Sequence, residues 1–421
     1  MATETLFAGT ILQGILILNY GLELKSYVGT LLAWLVIVVA ILINAVIPGL
    51  LPRFEILILV LHLSGFVAIL VTLLVTTDPI GSSASVWDTW LNGGGWSTQG
   101  VSFCVGVLGN VATFVGADAS VHMSEEIENA AVNVPRAITI SMLFNGTLGF
   151  AIMITLLYCI GDATSVLATD TGFPFLQIFY NSTKSTGGAV AMGAIVLALT
   201  WACATGITTT GSRMLWSFAR DNGFPFSSFF SKVTPRTRIP VMALLGATFL
   251  AALLTLIYIG SPTAFNDVVS LTITGFYASY FLPSALLLYH RIKGHVSPHG
   301  TAPELYKSPF KSVDGDTDSM ESRETAQALL IWGPWHLPGW LGTLNNIYAC
   351  LYMIFVIFWS VWPPATPVVA STMNYSVVVT GGVIIFSIIY YFVRARRIYK
   401  GPLIDEEAKR IMRIGSVVQS D

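Results

Sequence analysis

The chain has 421 residues, 54% of them hydrophobic and only 10% charged, with a formal net charge of −2. Soluble domains carry charge on about a quarter of their residues, so with a mean hydropathy of +0.71 a soluble fold is excluded and a polytopic, all-α integral membrane protein is expected. The small net charge gives no ground for a nucleic-acid partner, and Cys104, Cys159, Cys203 and Cys350 fall in apolar runs without disulfide or metal spacing.

A helix needs roughly 20 apolar residues to cross the hydrocarbon core. About ten transmembrane helices are expected, over residues 5–22, 28–47, 54–77, 103–120, 139–161, 188–218, 241–259, 267–290, 342–360 and 376–394. The first is the weakest, carrying Gln13 and Asn19, and it lacks the basic leader and cleavage pattern of a signal peptide. After the third run, Asp78 to Trp96 is rich in Gly, Ser and Trp and suits a hairpin at the membrane surface. The connector Ala219 to Pro240 mixes basic, aromatic and proline residues, and the polar stretch from His295 to Leu330 reads as a disordered insertion. The segment after Arg394 is basic and then mixed in charge, as expected of a tail at the inner leaflet.

Placing the loop after the first run outside leaves only Lys25 and Lys184 in outside loops, with Arg53, Arg136, Arg220, Lys232, Arg236, Arg238, Arg291, Lys293, Arg394, Arg396 and Arg397 on the other side. This bias puts both termini in the cytosol. The sequons at Asn181 and Asn374 then fall outside, as glycosylation sites require, whereas that at Asn145 lies within a span.

The fourth run is interrupted. Phe114, Val115, Gly116, Ala117 and Asp118 break it, and the chain is expected to continue as a Glu-rich polar helix that stops at Pro135. A carboxylate and a glycine in an apolar segment are expected only where protein or a water-filled cavity surrounds them. An unwound transmembrane helix exposes carbonyls and amides that coordinate a polar solute. Gly116 permits the break or allows close helix packing, Phe114 offers an aromatic wall, and Asp118 holds a cation or caps the following half-helix. Glu125, Glu126 and Glu128 carry protons or, closer to Arg136, form the solvated start of a helix or an inner gate pair. His122 and Glu126 have the spacing of a metal pair but no third ligand, so no metal is expected.

The run FVGADASVHMSEEIENAAVNVPRAI, followed by SRMLWSFARDNGFPFSSFF with VTPRTRIP, and then LPSALLLYHR, resembles the sixth, eighth and tenth helices of the amino acid–polyamine–organocation (APC) superfamily, in particular fungal permeases for amino acids, GABA and choline. The resemblance implies the leucine-transporter inverted-repeat fold. In that frame residues 1–77 are the remainder of the first repeat (helices three to five), 78–102 an extracellular loop, and 103–290 the second repeat (helices six to ten). Residues 291–341 are a cytosolic polar insertion, 342–394 helices eleven and twelve, and 395–421 a cytosolic tail. Helices one, two and part of three find no counterpart, so an N-terminal truncation is expected. The resemblance also implies that helix-six carbonyls face a substrate amine. His62, mid-span in helix five, is a candidate for proton coupling or a histidine bonded to a helix carbonyl. Tyr277, Tyr280 and Trp201 are candidates for contact with an ammonium group or for packing.

The reading is a secondary active transporter of amino acids or related amines such as GABA or choline, coupled to H+, in the lipid bilayer of the plasma membrane rather than the vacuole. The alternative is a truncated, non-transporting solute-binding or regulatory membrane protein. No nucleophile–base pair is apparent, so no enzyme is expected, and no cofactor is called for.

Overall fold

The computed structural model describes residues 1–235, 239–298, 330–370, 373–399 and 401. Most of the expected polar insertion, the tail beyond residue 401, Arg236 and Arg238 lie outside these. Ten principal helices follow one another: α1 Ala2–Tyr20, α2 Ser26–Val46, α3 Leu51–Thr76, α4 Gln99–Ala112, α5 Ala130–Cys159, α6 Thr186–Arg220, α7 Val241–Thr255, α8 Pro262–Ile292, α9 Gly339–Ser360 and α10 Ser376–Tyr390. Among the described residues nine helices are long and apolar enough to cross a membrane, and the exception is α4, with 14 residues. The chain is thus an all-α multi-pass membrane protein; its only strands among the described residues are a parallel bridge of Val296–Ser297 with Leu330–Ile331.

Helix ends follow local chemistry. The Thr98 side chain accepts the Val101 N–H to start α4, Ser185 accepts that of Gly188 to start α6, and Gly21 closes α1 in the left-handed region at φ 63°. Two expectations are corrected. The fourth run does not persist as a helix to residue 120; α4 ends at Ala112. No Glu-rich helix stops at Pro135 either: the Glu segment forms single turns at Ala119–His122 and Ser124–Glu126, and α5 begins at Ala130 with Pro135 in its second turn. A proline there forfeits one backbone hydrogen bond, a smaller loss than breaking a 30-residue helix.

Helix α1 packs against α2 and α6, α6 also contacts α2, α3 and α7, and α8 is sandwiched with α9. Small residues permit the closest approach: a Cβ on Gly9 would lie 2.5 Å from the Ala33 backbone nitrogen. One core joins Ile11 and Ile15 of α1, Leu73 of α3 and Met192 of α6 with Leu176 and Phe179 of the short helix Pro174–Thr183. A second joins Val111 of α4, Ile273 and Tyr277 of α8 and Val356 of α9. The second core seats the end of α4, through Val111, against α8 and α9. Large apolar side chains face outward along the long helices, for example Ile56, Leu57, Val60, Val67 and Val75 on α3, as lipid-facing surfaces require.

Candidate functional site

The end of α4 is built by Gly116. Its φ of +96° lies where side chains are rarely tolerated, so the chain turns there without the strain any other residue would bring. Before it, the amides of Thr113, Phe114 and Val115 bond three residues back, to the carbonyls of Asn110, Val111 and Ala112. Beyond it, Ala119 N–H reaches the Gly116 carbonyl and Val121 N–H that of Asp118. No backbone N–H among the described residues reaches the carbonyls of Thr113, Phe114 or Val115, so three acceptors are left over at the break.

Asp118 is held from two sides. The Tyr280 hydroxyl of α8 donates to its Oδ1 at 2.6 Å, and the His122 ring lies 2.9 Å from its Oδ2. Through its bond Tyr280 ties the far side of the break to α8. His122 therefore engages Asp118, four residues back, and not Glu126.

The break opens on a cavity of about 790 Å³, a volume suited to a small solute. Of the residues singled out in the sequence, it gathers Val115, Gly116 and Asp118 from the break and His62 from α3. It also gathers carboxylates that the sequence reading passed over: Glu4 of α1 and Glu55 of α3, with Cys203 of α6 beside Glu4. Charged residues in membrane helices mark functional surfaces, but both stand at the edge of an apolar run, where a charge reads as interfacial. A second chamber, of about 500 Å³, shares His122 and Met214 with the first and carries Glu125, Arg213 and Asp221.

The remaining expected residues lie elsewhere. Phe114 turns toward α5, where a Cβ on Gly146 would meet its ring at 3.3 Å, and Ala117 does not line the cavity. Tyr277 is packed in the α8–α9 core, its ring 6.0 Å from those of both Tyr280 and Tyr352. Trp201 packs against Ala8, Val36 and Ala204, away from the cavity. Glu125 pairs at 3.2 Å with Arg220, whose guanidinium lies 4.8 Å over the Trp216 ring; Arg136 is exposed on α5. The Glu126 side chain lies outside the described residues. Of the two sequons, Asn181 is exposed. Asn374 is only 4% exposed, donates to the Ser360 and Trp362 carbonyls at 2.9 and 3.2 Å and accepts from Ser376, so a glycan there does not fit the packing.

Residues 2–384 match the family model described as amino acid permease. The chain belongs to the amino acid permease family, within the APC superfamily. A protein of Macrophomina phaseolina described as an amino acid/polyamine transporter is 30% identical over 89% of the chain and 76% of its own length. The choline transporter of Saccharomyces cerevisiae is 28% identical over 80% of the chain and 54% of its own length. The GABA-specific permease of the same yeast is 29% identical over 72% of the chain and 48% of its own length. The chain therefore spans about half the length of the two yeast transporters. The names of these relatives describe transporters and permeases, not enzymes.

Proposed function

We propose that this chain forms the solute-binding part of a secondary active transporter that moves an amino acid or related amine across the plasma membrane, coupled to H+, with both termini cytosolic. The observation that carries the reading is the break after α4: three carbonyls are left spare there, and Val115, which bears one of them, lines a cavity walled by α1, α3, α6 and α8 together with the fixed carboxylate of Asp118. Carbonyl oxygens and a carboxylate favour an ammonium group. His62, Glu4 and Glu55 line the same cavity, which supports proton coupling because binding a proton there and binding a cation draw on the same charges. Under this reading residues 103–290 act as one five-helix repeat and residues 1–77 as the remainder of its inverted partner. The names of the relatives, for amino acids, polyamines, choline and GABA, support an amine-bearing solute.

The test is uptake of labelled amino acids, GABA and choline in a permease-deficient host expressing the protein. Accumulation is expected, and Gly116→Leu and Asp118→Asn are expected to reduce it at least tenfold at matched surface expression. Unchanged uptake in both variants would sink the site assignment.

A further inference from the structure

The solute cavity and the second chamber are neighbours. Among the described lining residues they have two side chains in common, His122 from the turn after the break and Met214 of α6. These two side chains form the partition between the cavity of about 790 Å³ and the chamber of about 500 Å³. The chamber is polar, with Ser124, Glu125, Arg213, Ser217 and Asp221 in its walls, and the Glu125 side chain is exposed to solvent. A solute crossing the partition therefore passes into a polar space that reaches water at Glu125.

The two halves of the partition are held differently. Met214 is an exposed, unbranched thioether on α6, and such a side chain changes rotamer readily. His122 ends the single turn Ala119–His122, outside any long helix, and its ring is held by Asp118, whose Oδ2 lies 2.9 Å away. Asp118 itself lines the solute cavity. Its Oδ1 is taken up by the Tyr280 hydroxyl at 2.6 Å, so a cation in the cavity and the His122 ring compete for Oδ2. The cation wins in either protonation state of the ring. A neutral imidazole makes a weaker bond to a carboxylate than an ammonium does, and a charged imidazole is repelled by a second cation at that range.

We propose that His122 is the gate between the solute cavity and the second chamber. Asp118 holds the ring across the partition while the cavity is empty, and an ammonium-bearing solute that takes Asp118 releases the ring and opens the way. The proposal rests on the cavity being the solute site argued above. By this device the cavity opens toward the second chamber only when a solute is present to leave, because the solute binds the open arrangement better than the closed one.

The experiment measures access across the partition in the full chain in sealed membrane vesicles, with a membrane-impermeant methanethiosulfonate as the probe and the unsubstituted chain as background. Gly206→Cys sets a thiol in the cavity, and Ser217→Cys sets one in the second chamber and so identifies the side from which that chamber is reached. Without solute, His122→Ala is expected to speed labelling of Gly206→Cys from that side about tenfold, the effect of one hydrogen bond to a charged group. Labelling of Gly206→Cys from the opposite side, and of Ser217→Cys, is expected to stay within about twofold. His122→Gln keeps a donor for Asp118 and is expected to label near the parent rate. Should His122→Ala fail to reach the membrane, His122→Leu, which keeps bulk and loses the bond, is expected to act in the same direction.

Met214→Cys places the thiol in the partition itself. Saturating n-propylamine is expected to raise its labelling rate about threefold or more, while shielding Gly206→Cys deeper in the cavity. Labelling of Gly206→Cys that is indifferent to loss of the His122 ring, or faster from both sides alike, would overturn the gate. Shielding of Gly206→Cys by n-propylamine with no change at Met214→Cys would overturn release by the solute. Shielding by none of n-propylamine, choline and GABA would overturn the solute site, a result the solute-free comparison of His122 variants keeps separate.

Discussion

At the residue scale, the break depends on Gly116 and on what fastens it. A Cβ at Gly116 would meet nothing within 4 Å, so the φ of +96° is the sole obstacle to a side chain there. Gly116→Ala therefore isolates backbone strain, about 1–2 kcal/mol, and uptake is expected to fall about tenfold without loss of protein from the membrane. Tyr280→Phe removes the donor to Asp118 and keeps the ring. It is expected to destabilise the protein by about 1–3 kcal/mol, read as a lower unfolding temperature in detergent, whereas Tyr277→Phe leaves Asp118 untouched and its binding competence intact. Much of this was legible in the sequence: a glycine and an aspartate inside an apolar run announce a broken helix. Which of two tyrosines three positions apart reaches Asp118 was not, because that depends on the rotation of α8, fixed by its packing on α9. Glu4 and Glu55 escaped for another reason. Each stands at the edge of an apolar run, where a charge reads as interfacial, and only the arrangement of α1 and α3 turns both toward one cavity.

At the scale of the helices, most span ends were readable from hydrophobicity to within about five residues, but the end of α4 at Ala112 and the helix start at Ala130 were not. The segment AAVNVPRAI is too polar to register as a span and holds a proline, yet it forms the first turns of α5. The approach of α1 to α2 makes a sharper prediction. Gly9→Ala places a methyl group against the backbone of Ala33 and Gly29, which cannot yield as a side-chain tip does, and the helices must separate. A loss of about 1–3 kcal/mol is expected, again read by thermal unfolding. The Glu125–Arg220 pair joins the segment after the break to α6 across 95 positions of sequence, a pairing that no local pattern announces. Its Glu125 side chain is 65% exposed, so Glu125→Ala is expected to change stability by less than about 1 kcal/mol, read by thermal unfolding.

At the scale of the molecule, the sequons test which loops face outward. Asn181→Gln is expected to abolish a glycosidase-sensitive mobility shift on a gel, and Asn374→Gln to leave that shift unchanged, because the Asn374 amide is spent on the Ser360 and Trp362 carbonyls. The family match and the apolar spans made the class of protein legible from sequence; the cavity was not, since its walls come from helices more than a hundred residues apart. The central claim is that a solute occupies this cavity beside the break. Gly206 of α6 lines it, and a Cβ there would meet nothing within 4 Å, so Gly206→Cys sets a reporter thiol on the wall without disturbing the packing. The decisive measurement is the rate at which a small methanethiosulfonate labels that thiol, above the background of the unsubstituted chain, with and without saturating transported amine. At least fivefold slower labelling in the presence of the amine is the predicted result; an identical rate, with an amine the protein demonstrably accumulates, would contradict it.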